Sequence, residues 1–460
     1  MANSTKDLFN KLNEAVQKLA SMERDDDNKD HHTSCPKIQK VLHHQRGRKK
    51  FAKYYFPRFV SFGPIHYGEP HLQLGEQYKY LWASMYLQGK DRDSKHQKIL
   101  ENIKNLKDLY TKDALGDFDD NNEKLSVILF VDGCSLLQIL LKFDFKKAED
   151  LKIKADLLAL LRQDVLLLEN QLPFQLLSLL ANDDNFVIRA IDKFISRFQR
   201  FTSHRPEGQS SRQRFMEEEE EIGERDLNSG GEGNREEIEV RLIHPSPPPH
   251  LLHHLRSEML RGFHPKETKS KHKHRSRTYR NVMELKQAGI RVKRSKPKSP
   301  IDISFHSTWF GGRLKLPKIV VDHITAPTYL NLIAYETLPD FQNKHEISSY
   351  VEFLDTMIDH PEDVKLLRAA GVLLNRLGSD EEVAKLFNTI AADLKTDAST
   401  YAYVTEEIEM HYKKRYKTWL SQAFHMYFRS PWTIIAFLAG FLALFLTAAQ
   451  TWITFYPPKQ

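Results

Sequence analysis

The chain of 460 residues, 28% charged and 40% hydrophobic, has room for one large or two ordinary domains, a balance ordinary for a water-soluble body with one anchor. Its net charge of +7 is modest and hides strong local segregation. Two cysteines, Cys35 and Cys134, exclude a disulfide framework and suit a reducing compartment.

Met1 to Ala20 is amphipathic and mixed in charge, without the continuous apolar core of a signal peptide. Leu8, Leu12, Ala15, Val16 and Leu19 form a helical stripe that Ser4 or Thr5 can cap. A polar loop follows. His31, His32, His43 and His44 lack the spacing and companion ligands of a metal site. Phe51 onward is extended and punctuated by Pro57, Pro64 and Pro70. After Leu74 it reads as a helix, with Tyr78, Leu81, Trp82 and Met85 on one stripe. Ser94 to Tyr110 reads as one charged helix.

Leu125 to Phe145 is strongly apolar and is interrupted by Asp132, Gly133 and Cys134. A Cys beside an Asp raises the question of a nucleophile. Catalysis needs a nearby base and a lowered thiol pKa, and the sequence presents neither in a recognisable context. Cys134 is therefore expected to be a packing residue. Lys152 to Asn182 holds two apolar blocks around the polar trio Glu169, Asn170 and Gln171. The trio marks a break between packed helices, where it can satisfy freed backbone groups. Asp164 and Glu169 lie five apart and do not converge as an acid/base pair.

Residues 201–298 are expected to form a charged, disordered insert. It contains the run Glu217 to Glu221, the stiff PSPPPH, a short helix-like LLHHLRSEMLRGF, and a densely basic stretch from Lys266 to Lys298. NVMELKQAGIRV leads into a change of period. Ile301, Ile303 and Phe305 alternate with polar residues, as do Leu314 and Leu316 across a Gly311-Gly312 turn. That predicts a small antiparallel hairpin, with Ile319 to Val321 as a third strand. Helices resume through Tyr350, Leu354, Met357 and Ile358. One opens at Pro361 and ends at Gly378; the next opens at a capping box, Ser379 to Glu382.

Trp432 to Tyr456 carries no charged side chain over roughly 25 residues, enough at about 1.5 Å per residue to pass a hydrocarbon core of about 30 Å. Phe437 and Phe441 surround small residues such as Gly440, while Trp432, Trp452 and Tyr456 fit an interfacial belt. Lys413, Lys414, Arg415, Lys417 and Arg429 precede the span and only Lys459 follows it. The body is thus expected in the cytosol, drawn to anionic lipid, with a weak lean to the plasma membrane from span length. The expected fold is mainly α: a large helical head, a small antiparallel β-hairpin and one C-terminal transmembrane helix. Its divisions are 1–34, 35–200, 201–298, 299–429, 430–456 and 457–460.

The segments FPRFVSFGPIHYGEPHL, VDGCSLLQIL, DVLLLENQLPFQLL, ELKQAGIRV, IDISFHSTWFGGRLKLPKIVVDHITAPTYLNLIAYE and SYVEFLDTMIDHPEDVKLLRAAGVLLNRLGSDEEVAKLF, with the final SPW and span, follow one another in an order that resembles the plant family known as domain of unknown function 247. The resemblance covers the chain from about Cys35 and implies the C-terminal anchor. Some grass members sit at self-incompatibility loci. No catalytic residue or cofactor of the family is established that could be carried over, and the charged insert departs from its compact pattern. The leading expectation is a non-enzymatic, membrane-tethered interaction or signalling protein. Its partners would be the bilayer and another protein, with no cofactor, metal or small-molecule substrate. The alternatives are an enzyme with an unrecognised site near Cys134 and His66, or nucleic-acid or anionic-lipid binding through the basic insert.

Overall fold

The structure, a computed structural model, describes residues 36–47, 51–143, 148–203, 247–265, 280–295, 299–308, 311–341, 345–392, 394–397, 399–413 and 431–455. The expected Ser4–Leu19 helix, Cys35, the Glu217 to Glu221 run, Lys414, Arg415, Lys417, Arg429 and Tyr456 lie outside these residues.

The described chain is mainly helical. Its first half is built around the helix Asn122–Lys142, which packs against Gln73–Leu87, Arg92–Glu101, Phe174–Ala181 and Asp184–Ser203. Asn121 caps the central helix by accepting from the Lys124 amide at 3.0 Å. The helix runs unbroken through Asp132, Gly133 and Cys134, the residues that interrupt its apolar run. Gly133 is there for contact, not for a break. A Cβ at that position would stand 2.4 Å from Leu180 Cδ1, so its absence lets Phe174–Ala181 approach closely. The expected helix over Ser94 to Tyr110 is split at Asn102 into Arg92–Glu101 and Ile103–Lys107. The Asn102 side chain donates to the Lys98 carbonyl at 2.9 Å, competing with the helical ladder.

The second half carries two small sheets. Strands β1 (Ile290–Arg294), β2 (Ser304–Thr308) and β3 (Gly311–Leu316) lie in the order β1-β3-β2. The β2–β3 pair is antiparallel, as expected, with Phe305 opposite Leu314. The third strand, however, is β1, parallel to β3. The segment proposed for that place, β4 (Ile319–Val321), instead pairs in parallel with β5 (Leu373–Asn375). Gly311 and Gly312 are strand residues rather than the turn. A Cβ on Gly312 would fall 2.7 Å from Phe305 Cζ and 2.9 Å from Ile290 Cγ1, so glycine leaves room for both neighbouring strands. The helix Pro361–Ala369 ends at Gly371, whose φ of +68° suits a left-handed cap, and not at Gly378. Ser379 does cap Asp380–Ile390. Glu382 reaches back one residue further than expected, to the Gly378 amide at 3.1 Å.

Residues 201–298 do not form one insert. Helix Leu251–Leu260 buries Leu251, Leu252 and Leu255 in the common core, and Val282–Gln287 and β1 belong to the sheet region. Apolar side chains at helical spacing outvote the charged composition around them. The two halves share that core and are pinned by Asn331. Its Oδ1 accepts from the Leu168 amide at 2.8 Å, and its amide donates to the carbonyls of Tyr54 (2.9 Å) and Pro327 (2.8 Å).

Two helices among the described residues are long and apolar enough to cross a membrane. Asn122–Lys142 is mostly buried. Pro431–Phe455 is 25 residues long, and from Ile435 to Trp452 none of it is buried. Phe437, Gly440, Phe441 and Trp452 lie on this exposed helix.

Asn331→Ala removes three hydrogen bonds and leaves the buried Leu168 amide without its acceptor, and is expected to cost about 2–3 kcal/mol. Denaturant unfolding of the detergent-solubilised chain measures it; a loss below about 0.5 kcal/mol would show that the two halves are held together without it.

Candidate functional site

Pro57 to Pro64 crosses the interior without regular secondary structure, and all of it except Arg58 is buried. A buried irregular backbone needs side-chain partners, because no ladder supplies them. Asp164 accepts from the amides of Phe59 (2.7 Å), Val60 (3.0 Å) and Arg58 (3.1 Å). Asn170 accepts from Phe62 N at 2.6 Å and donates to the carbonyls of Val60 (3.0 Å) and Asp164 (2.9 Å). Asp132 accepts from Gly63 N at 2.8 Å. Gly75 completes the seat. A Cβ there would lie 2.0 Å from the Phe59 carbonyl oxygen, so the Gln73–Leu87 helix can lie directly on the segment only with glycine.

Glu169 and Gln171 do the same work beside it. Glu169 accepts from Val41 N at 2.6 Å; Gln171 donates to Val165 O (3.0 Å) and Leu167 O (2.7 Å) and accepts from Leu252 N (2.8 Å). The polar trio thus serves freed backbone groups, as expected. Three segments far apart in sequence, FPRFVSFGPIHYGEPHL, VDGCSLLQIL and DVLLLENQLPFQLL, meet in this one polar knot.

Two charged clusters complete it. Lys79 Nζ lies 2.6 Å from Asp132 Oδ1 and 2.8 Å from Glu76 Oε1, with Lys79 and Asp132 each only 1% exposed. Ser61 Oγ donates to Glu76 at 2.9 Å. Burial pushes Asp132 up to about 6, against the pull of the Lys79 ammonium and the Gly63 N–H. Burial also opposes charge on Lys79, but Asp132 and Glu76 outweigh it and hold the amine above its ordinary value. Each partner thus favours the charged form of the other across a contact of 2.6 Å. In the second cluster Glu169 Oε2 meets Arg46 Nη2 at 2.8 Å and His66 Nε2 at 2.9 Å, while His66 Nδ1 meets Glu69 at 2.7 Å. Towards the surface the Tyr67 ring meets Phe118 edge-on at 5.6 Å, with Lys124 over both rings.

Cys134 and His66 are not brought together by any hydrogen bond. His66 is clamped between Glu69 and Glu169. Cys134 lies two residues beyond Asp132, roughly 200° round the helix, so it faces away from the knot. Burial pushes its thiol up to about 12, although Lys95 and Lys90 pull it down. A thiol held there is not a nucleophile at neutral pH. Asp164 and Glu169 likewise serve different segments and form no acid/base pair.

Asp192, His254 and Glu258 form the one His and carboxylate group of metal-binding compactness among the described residues, with ligand atoms within 4.8 Å of one another. The i,i+4 spacing of His254 and Glu258 was the available signal, and Asp192 comes from 62 residues away. His254 Nε2 bonds Asp192 Oδ1 at 2.6 Å, and Glu258 is engaged by Arg261. The group reads as two polar pairs rather than an open coordination site. The sequence also gave no sign of the Lys79–Asp132 pair, whose partners lie on different helices.

The fold and knot define a mainly helical body with an interior segment pinned by buried carboxylates, carrying one exposed apolar helix of span length. The chain belongs to the DUF247 family, described as plant protein of unknown function, which matches residues 38–446. It is 25% identical over 430 residues to UPF0481 protein At3g47200 of Arabidopsis thaliana, covering 87% of this chain and 82% of the relative. It is also 25% identical over 461 residues to the putative UPF0481 protein At3g02645 of the same plant, covering 86% of each. No solved structure matches the chain.

Lys79→Met leaves Asp132 buried without its cation and is expected to cost about 3–5 kcal/mol, whereas the double variant with Asp132→Leu costs less than the sum of the two single changes, the orphaned Gly63 amide keeping about 1–3 kcal/mol of the loss. A double-mutant cycle by denaturant unfolding reads the coupling; independent, additive losses would contradict a buried pair. In a Cys35→Ser background, iodoacetamide at pH 8 should modify Cys134 at least about a hundredfold more slowly than free cysteine until denaturant is added. Rapid labelling of the folded chain would restore Cys134 as a candidate nucleophile.

Proposed function

We propose that the protein is a membrane-anchored, non-enzymatic interaction or signalling protein of plant cells, with its body in the cytosol. The observation that carries the reading is the Pro431–Phe455 helix: apolar on every face and exposed from Ile435 to Trp452. Water leaves such a surface uncompensated, and lipid is its natural solvent. The basic residues between Lys413 and Arg429 favour the cytosolic side for the body.

The non-catalytic part of the reading is supported by what the buried carboxylates do. Asp132, Asp164 and Glu169 spend their lone pairs on backbone amides and fixed cations, which leaves little for a substrate. Cys134 is buried and held protonated. A role in recognition fits the family resemblance, some grass members of which sit at self-incompatibility loci.

The test is extraction from plant membranes. The full chain should stay in the pellet after alkaline carbonate, while a chain ending at residue 430 should appear in the supernatant. Protease added to sealed vesicles should digest the body from the cytosolic face. Extraction of the full chain by carbonate would overturn the anchor, and protection of the body would overturn its side.

A further inference from the structure

A second surface has the geometry of a peptide dock. Strand β1 is the outer strand of its sheet among the described residues. The phase of its ladder follows from two hydrogen bonds: Gly312 N donates to Gly289 O at 3.1 Å and Ser295 N donates to Leu316 O at 2.8 Å. With Val292 registered on Leu314, the odd-numbered residues of β1 therefore face β3. The N–H and C=O groups of Val292 and Arg294 point the other way, out of the sheet. Beside that edge lies a groove of about 300 Å³. Val282, Val292 and Leu366 give it an apolar floor, Lys286, Arg291 and Lys293 give it a basic rim, and among the described residues no acidic side chain lines it. The positive field extends past the strand end. Lys318 is held below the ordinary lysine value by burial and then by Arg294 and Arg376, two further cations close to it.

Lysine and arginine on an outer strand often serve only to keep other chains from pairing. That purpose needs no cavity, and here the charges stand around one with an apolar floor. We propose that β1 accepts an extended, acidic segment of a partner protein as an added strand. The free backbone groups of Val292 and Arg294 bond its main chain. One face of the segment places apolar side chains in the groove, and its acidic side chains meet Lys286, Arg291 and Lys293. Side chains on one face of a strand recur about every 7 Å, so main-chain bonds give affinity and the groove gives selectivity. The inference rests on the interaction reading above and names the kind of partner it requires.

The test uses the full chain in nanodiscs of phosphatidylcholine, with a fluorescent ten-residue peptide of alternating Glu and Val as probe. Anisotropy reads the affinity at physiological salt. The probe should bind. Val292→Pro removes the outward N–H at an edge position that tolerates proline, so it should weaken binding at least tenfold with little change in melting temperature. Arg291→Glu with Lys293→Glu should weaken it similarly and favour a Lys/Val probe instead. A probe N-methylated on alternate residues should not bind the unaltered chain, which keeps the test valid should Val292→Pro disturb folding. Affinity that is unchanged by Val292→Pro in a folded chain, or equal for the N-methylated probe, would overturn the added strand. Tighter binding to phosphatidylserine discs, lost on charge reversal but not with Val292→Pro, would assign the patch to lipid instead. Probe binding that appears only after Glu217 to Glu221 are changed to Gln would assign the groove to the chain's own acidic run. Because the discs report anchoring separately, an anchored chain that ignores the probe sinks this inference and leaves the anchor standing.

Discussion

An unstructured backbone in a dry interior is the constraint on which the first half of this protein depends. Pro57 to Pro64 lies among buried side chains with neither a helical nor a sheet ladder to absorb its amides. Each orphaned group would cost about 1–3 kcal/mol. Asp164, Asn170 and Asp132 remove that cost from three directions. They also fix the elements they belong to: the Ala155–Asp164 helix, the 3₁₀ turn Leu168–Asn170 and the central Asn122–Lys142 helix. The Lys79 ammonium is a consequence of the same arrangement. Asp132 is drawn inward to serve Gly63 and would be an uncompensated charge without a cation beside it.

This accounts for the density of ionisable groups in the knot. Carboxylates, an imidazole and an amine converge, but their geometry is closed. Each carboxylate oxygen of Asp132, Asp164 and Glu169 has an amide or a cation at hydrogen-bond distance. The same closure gives rigidity. Asn331 and Glu336 extend it to the second half, where Glu336 accepts from Arg256 Nε at 2.9 Å and from the amides of Ile347 (3.0 Å) and Ser348 (2.9 Å).

What could be read from the chain divides along the range of the interactions. Local periodicity was legible: the helix after Leu74, the β2–β3 hairpin, the cap at Ser379 and the apolar C-terminal helix all carry their signal within a few residues. The polar trio at Glu169 was legible in kind, because polar residues between two apolar blocks need something to serve. Its partners at Val41, Phe62 and Leu252 were not, since they lie between 81 and 128 residues away. Glycine misled at Gly311-Gly312, where Gly312 makes room for neighbouring strands that only the folded chain supplies, as Gly133 does for the Phe174–Ala181 helix. Leu251–Leu260 was visible as a helix-like stretch, but the charged composition around it hid its place in the core, and hid β1 as a strand. Parallel pairing of β1 and of β4 depends on segments distant in sequence and leaves no local trace.

The central helix poses a problem for the cell that the finished fold conceals. Window for window, Asn122–Lys142 is no less apolar than Pro431–Phe455, and a nascent chain exposes it first. A ribosome-bound targeting factor or translocon that weighs greasiness alone would meet two stop signals rather than one. Asp132, at the middle of the earlier helix, supplies a discriminator, for a carboxylate at the centre of a spanning helix raises the cost of insertion by about 2.5–3.5 kcal/mol. The side chain that seats Gly63 thus also sets the first helix apart from the later one, which carries no charged residue and would be the cheaper of the two to place in lipid.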